Sequence, residues 1–263
     1  APMTRLLSGV AMAASAFALV WFLPWTALLG VTLLLSALGF FEYARLTRGI
    51  DAAVPTIPTL TATLAACAAV ALPWVHLPSL LGVVMVGLAV SLMTSGRHGA
   101  PLFHGAAAAM LAPVYIGLPL GALVAIHQLA GREGVLTLIA TVAASDTFQY
   151  YSGRTFGKRP LAPVISPKKT IEGAIGGFVL APITLVVIAH FWLPRLNPFG
   201  VWAAGIGIVI AGIAGDLFES SLKRAAGVKD SGHLIPGHGG VLDRIDALLP
   251  VFPCAMALVS LAR

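Results

Sequence analysis

Charge is scarce in this sequence. Only 10% of its 263 residues are Asp, Glu, Lys or Arg, against about 25% in an ordinary soluble domain. Too few polar side chains remain to clothe a water-soluble globule. Cysteine is rare as well. Cys67 and Cys254 stand alone in apolar segments, so they read as small buried side chains, not as a disulfide or a thiolate metal site. There is no His-Glu-x-x-His run and no His/Cys cluster, which argues against zinc. "GRTFGK" (153–158) lacks the spacing of a P-loop, which needs Gly, four residues, then Gly-Lys-Ser/Thr. The sequence shows no convincing internal repeat and no low-complexity tract.

What is present is apolar. Hydrophobic residues make up 58% of the chain and mean hydropathy is +0.94. A membrane-spanning helix needs about 20 mostly apolar residues. Nine stretches approach that length: 5–23, 25–46, 56–76, 78–95, 105–129, 134–151, 171–193, 199–223 and 244–262. The fold class expected is therefore an all-α polytopic membrane protein of about nine spans. Transmembrane β-strands would be shorter and alternating. "AMAASAFA" in the first stretch has signal-peptide character, but Arg5 and the spans that follow suit a retained anchor.

The net charge of +6 could suggest nucleic acid, yet the positive residues sit at span ends. With nine spans and the N-terminus inside, thirteen of the sixteen Lys and Arg fall on the cytoplasmic side, including Arg45, Arg48, Arg97, Arg154, Lys158 and Arg159; Arg132, Arg195 and Arg263 fall outside. That asymmetry predicts an N-in, C-out orientation. The chain reads as one membrane domain over 1–263. Residues 1–130 are mainly structural spans, and 131–263 hold most of the acids and two polar loops, 151–173 and 223–246.

Four motifs in the second half carry chemistry. In "AGDLFESSLKR" (214–224), Asp216, Glu219, Ser220 and Lys223 recur at helical spacing on one face. Acids near a membrane usually face an aqueous cavity, a partner or a cation; a self-neutralising Glu219–Lys223 pair is the plainer alternative. In "GGVLDRID" (239–246), Asp243 and Asp246 lie one turn apart and open the ninth predicted helix. They could simply cap it. Behind two glycines, and with Asp216 and Ser220, they also make a hard-oxygen set suited to Mg²⁺.

In "SPKKTIEG" (166–173), Ser166 and Pro167 look like an N-cap and first helical position. Lys168 and Lys169 would then occupy the first turn, where cations oppose the helix dipole unless an anion binds. Contact with anionic lipid is the other reading. In "ASDTFQYYSGRTFGK" (144–158), Asp146 ends an apolar span, with Tyr150 and Tyr151 at belt positions and Arg154 and Lys158 beyond. A carboxylate–Mg²⁺ side and a Lys/Arg side on the cytoplasmic face fit phosphoryl or nucleotidyl transfer. Residue types and spacing name neither nucleotide nor lipid.

The segment "SSLKRAAGVKDSGHLIPGHGGVLDRID" (220–246) resembles the signature of the phosphatidate cytidylyltransferases, the CDP-diacylglycerol synthases. It runs Ser, two residues, Lys-Arg, four residues, Lys-Asp, then Gly, then Pro-x-His-Gly-Gly, then Asp-Arg-x-Asp. "SPKKTIEG" and the Asp146 segment resemble the family's upstream motifs. The first 130 residues carry no such motif.

The resemblance implies transfer of the cytidylyl group of CTP to phosphatidic acid, giving CDP-diacylglycerol and pyrophosphate. It implies Mg²⁺, a second cation such as K⁺, a homodimer, and the cytoplasmic face of a bacterial inner membrane. Asp216 and Asp243 are the first candidates for metal ligands, with Ser220 and Asp246 in support, and Lys223 among the catalytic set. Ser166, Lys168, Lys169, Thr170, Arg224, Lys229, Gly239, Gly240 and Arg244 are expected at the substrates. Asp230 and His238 would order the glycine loop or contact the nucleotide, and Asp146 the cytidine or the metal region. A CTP-dependent polyprenol-type lipid kinase and an ion-coupled transporter are the alternatives, and no nucleic-acid partner is expected.

Overall fold

A computed structural model describes residues 2–96, 98–193, 197–235 and 239–261. The chain is overwhelmingly helical: α1 (Pro2–Phe22), α2 (Trp25–Arg48), α3 (Thr56–Ala71), α4 (Leu77–Met93), α5 (Ala100–Ala112), a π-turn (Pro113–Gly117), α6 (Leu118–Phe156), α7 (Ile171–Trp192), α8 (Pro198–Ala225), α9 (Leu242–Ile245) and α10 (Leu248–Leu261). One small antiparallel hairpin, β1 (Pro160–Ala162) with β2 (Ser166–Thr170), joins α6 to α7. Among the described residues, four helical stretches are long and apolar enough to cross a membrane: Trp25–Arg48, Ala100–Phe156, Ile171–Trp192 and Pro198–Ala225. Shorter apolar helices lie at Gly9–Phe22, Thr56–Ala71, Leu77–Met93 and Leu248–Val259.

The chain divides into two compact units, Ala1–Ala125 with Leu222–Ile245, and Ile126–Ser221 with Asp246–Arg263. Most of the polar segment 223–246, grouped by composition with the C-terminal half, therefore belongs with the N-terminal helices.

In the first unit, α2 buries Leu28, Thr32, Ser36, Gly39, Phe40 and Tyr43, steps of three and four that define one helix face. Tyr43 Oη donates to the carbonyl of Ala108 at 2.9 Å, tying α2 to α5. Gly117 and Gly121 let a second contact close. A Cβ on either would strike the backbone carbonyl of Thr63 or Cys67, so two small residues four apart bring α3 against the π-turn and the start of α6. This is how helices pack where lipid gives no hydrophobic drive.

In the second unit, α6 continues to Phe156 past a break at Gly131, whose φ of 72° suits a residue without Cβ. Two separate spans, 105–129 and 134–151, were expected here. The structure has two helical segments here that meet at Gly131, the one residue of non-helical backbone between them. The core gathers Val135, Leu138, Val142, Ala181, Leu185, Ile208, Leu249 and Phe252. Gly205 admits Pro182, and Gly215 admits Pro250 and the carbonyl of Asp246.

Candidate active site

Two groups of polar side chains hold the sequence motifs, one in each unit. The first begins where α8 ends. Gly227 takes a φ of 70° and the chain turns away, with Arg224 donating to the carbonyl of Val228 at 3.0 Å. Beyond it, Gly239 has a φ of 79°, which favours glycine. Ile235 N–H donates to the Gly239 carbonyl at 2.9 Å.

Asp243 is the centre of this group. Its Oδ1 receives Lys223 Nζ at 2.6 Å, and the two side chains are 5% and 11% exposed. Its Oδ2 accepts from Ser231 N–H at 2.9 Å, Ser231 Oγ at 2.9 Å and Gly240 N–H at 2.8 Å. Burial alone would raise the Asp243 pKa, but the Lys223 ammonium and the Gly240 and Ser231 amides outweigh it and hold the carboxyl below its usual range. A second carboxylate, Glu42 of α2, accepts from Ser231 Oγ at 3.0 Å, Val241 N–H at 2.9 Å and Leu242 N–H at 2.8 Å.

The second group gathers around Asp216 on α8. One carboxylate oxygen is ion-paired with Lys169 Nζ, and the other accepts from Ser220 Oγ at 3.2 Å. Asp146 on α6 lies within electrostatic reach of Lys169, Asp216 and Asp246. Asp246 accepts from its neighbour's amide, Ala247 N–H, at 2.7 Å.

The basic hairpin is fixed from below. Thr170, in extended conformation, caps α7 by accepting from Gly173 N–H at 3.1 Å. Glu172 in the first turn accepts from the Lys158 and Arg159 amides at 3.0 and 3.2 Å and from Arg159 Nε at 3.3 Å. Cβ atoms on Gly153, Gly157 or Gly173 would collide with Thr170 or the Gln149 carbonyl, so these glycines allow the close approach.

Two expectations are corrected. Ser166 and Pro167 do not start a helix, and Lys168 and Lys169 are not in its first turn; Ser166–Thr170 is strand β2, and α7 starts at Ile171 behind the Thr170 cap. The residue before a proline is biased to extended backbone, and threonine caps well, so the cap moves four residues on. Asp243 and Asp246 do not open one ninth helix. Asp243 is in the four-residue α9, and Asp246 sits in the turn before α10. Asp246 bonds its own neighbour's amide, the kind of local side-chain bond that competes with helix.

Other expected residues are less engaged. Lys168, Arg224, Lys229, Asp230 and Arg244 are exposed. His238 lies outside the described residues. Glu42, Ser231 and the loop-fixing Glu172 were missed by sequence reasoning. The signal for Glu42 was available: an acid inside an apolar span.

Among the described residues, no three Asp, Glu, His or Cys side chains form a ready metal cage. The donors around Asp216, Ser220, Asp146 and Asp246 are nevertheless all hard oxygens. That chemistry fits Mg²⁺, which typically takes one or two carboxylates and completes its shell with water and substrate phosphates.

Fold and side chains together define an α-helical membrane protein with paired acid–lysine groups. Residues 3–262 match the model of the Cytidylyltransferase family. A phosphatidate cytidylyltransferase of Staphylococcus haemolyticus is 37% identical over 179 residues, 68% of this chain and 67% of that protein. One from Staphylococcus aureus is 35% identical over 184 residues, 69% of each. One from Haemophilus influenzae is 46% identical over 123 residues, 45% of this chain and 43% of that protein. The chain belongs to the cytidylyltransferase family, whose members are nucleotidyltransferases.

Proposed function

We propose that this chain is a phosphatidate cytidylyltransferase of a bacterial inner membrane, making CDP-diacylglycerol for phospholipid biosynthesis at the cytoplasmic face. The carrying observation is that the family match is joined by two lysine–carboxylate pairs, Lys223–Asp243 and Lys169–Asp216. Each places a phosphate-binding cation beside an acid.

An oxygen of the phosphatidate phosphate attacks the α-phosphorus of CTP. The new P–O bond forms as the bond to the β-phosphate breaks, and pyrophosphate leaves with the electron pair. A phosphate monoester has a second pKa near about 6, so the nucleophile is already ionised at neutral pH. No activated serine is needed, and Ser220 is not assigned as one. The protein's task is positioning and charge.

Lys169 and Lys223 bind phosphate oxygens, with Lys168, Arg224, Lys229 and Arg244 adding positive potential. Gly239 and Gly240 let the backbone close on Asp243, Glu42 and Ser231, which sets the loop that carries the Lys223 contact. Asp216, Ser220, Asp246 and Asp146 would hold Mg²⁺, which supplies charge neutralisation on the triphosphate when bound. A bound K⁺ and a homodimer belong to the same proposal.

The purified chain, given CTP, phosphatidate and Mg²⁺, should release one pyrophosphate per CDP-diacylglycerol formed. Asp216→Asn should lower kcat by about a hundredfold or more, and raising CTP should not restore it, as expected for a group acting on the transition state. CDP with a lipid diphosphate from phosphatidate, or with a lipid phosphate when a polyprenol is supplied, would assign a kinase instead. Turnover within a few-fold of wild type in folded Asp216→Asn would remove its assigned role.

A further inference from the structure

Glu42 is an acid only 8% exposed on α2, a helix apolar enough to cross a membrane. A carboxylate in such a place is costly and needs partners. Among the described residues, the donors it accepts from lie in the segment 231–242: Ser231 Oγ, Val241 N–H and Leu242 N–H. The two amides enter the short helix α9, whose first N–H groups have no intrahelical acceptor. Glu42 supplies that acceptor from almost two hundred residues away.

The segment is shaped around this carboxylate. A Cβ on Gly232 would come 2.6 Å from Glu42 Oε1, and one on Gly240 would strike Glu42 Oε2 and Ser231 Oγ. Ser231 Oγ has a single proton and two acceptors, Glu42 Oε2 at 3.0 Å and Asp243 Oδ2 at 2.9 Å. The hydroxyl thus links Glu42 to the carboxylate that holds Lys223. An acid present only to stabilise the fold would not need its partners concentrated on the segment that carries Gly240, Asp243 and the Lys223 contact.

We infer that Glu42 is a positioning residue for cytidylyl transfer. It touches no reacting atom; it fixes the 231–242 segment, and through Ser231 and the α9 amides it sets Asp243 and Lys223. The inference rests on the reaction proposed above.

Glu42→Gln tests it. The amide keeps the size of the side chain and can accept one N–H, but it presents its own NH₂ to the remaining donors. Steady-state kinetics, thermal unfolding and amide exchange are measured on wild type, Glu42→Gln, Ser231→Ala and the double variant. Ser36→Ala is the control, since Ser36 is also buried on α2 and its hydroxyl faces Cys67 instead.

In Glu42→Gln, kcat should fall about 10- to 100-fold, as for partners that orient a functional group. The KM for CTP should stay within about threefold, as for an interaction that counts in the transition state. The Val241 and Leu242 amides should exchange faster in a protein that still unfolds cooperatively. The double variant should be no slower than the worse single variant, and Ser36→Ala should match wild type.

A kcat within about threefold of wild type in Glu42→Gln, unchanged exchange at 241–242, or additive losses that track the unfolded fraction would each overturn the inference. Wild-type turnover with an unaffected Glu42→Gln refutes the positioning role alone. Absence of CDP-lipid from the wild type refutes the reaction, and the catalytic role of Glu42 with it.

Discussion

Asp243 shows how much one residue can be asked to do. Its two oxygens take one ammonium, two amides and a hydroxyl, and the result is a carboxyl held below its usual pKa. An unfolded aspartate titrates near about 3.9, and the folded one lower. As pH falls, the unfolded state takes the proton first. The stabilisation is therefore complete above the unfolded pKa and is lost as pH falls through the folded one. Asp243→Asn should be less stable than wild type at neutral pH by about 3–5 kcal/mol, because it leaves Lys223 buried without its partner. Unfolding midpoints in detergent should converge as the pH drops below about 4; a gap that persists unchanged would contradict the ion-pair account.

The residues with chemistry were legible in the sequence as acids and lysines in an apolar chain, and most of them reappear in the two groups. Their pairing was not. Lys223 reaches Asp243, twenty positions on, a partner that helical spacing cannot offer. Spacing along one helix reports on that helix alone.

At the scale of elements, the polar segments are ordered by glycines and caps. Gly240→Ala places a methyl group against Glu42 Oε2 and Ser231 Oγ, so it should cost activity by tenfold or more, measured as CDP-lipid formation at saturating substrate; about 1.4 kcal/mol of misplacement suffices for that. Wild-type turnover would mean that the segment tolerates displacement. Thr170→Ala removes the cap of α7 and should cost about 1 kcal/mol of stability, read from chemical unfolding, while Thr170→Ser should retain most of it.

The long apolar runs were legible because a span is a composition signal. Their boundaries were less so. Pro113 opens a π-turn inside an apolar run, which hydropathy cannot see, whereas the break at Gly131 falls between the expected spans 105–129 and 134–151. The β1–β2 hairpin was hidden because Ser-Pro reads equally well as a helix start or an extended dipeptide.

For the whole molecule, nine spans with the N-terminus inside would put thirteen of the sixteen cationic residues on one side, which predicts N-in, C-out. With the two native cysteines replaced, Arg132→Cys should react with an impermeant thiol reagent on intact cells and Lys158→Cys should not. The reverse labelling would invert the orientation. That 222–245 belongs with the N-terminal helices could not be read from composition, because the association depends on Glu42 and on small residues whose partners are distant in sequence.

The central claim is that the cytidylyl group, not the terminal phosphate, reaches the lipid. The direct measurement supplies the purified chain with phosphatidate, Mg²⁺ and CTP labelled at either the α- or the γ-phosphorus, and then counts the lipid phase. Cytidylyl transfer predicts that α-label enters the lipid while γ-label stays in water as pyrophosphate. Entry of γ-label into the lipid, with α-label left in aqueous CDP, would contradict the account.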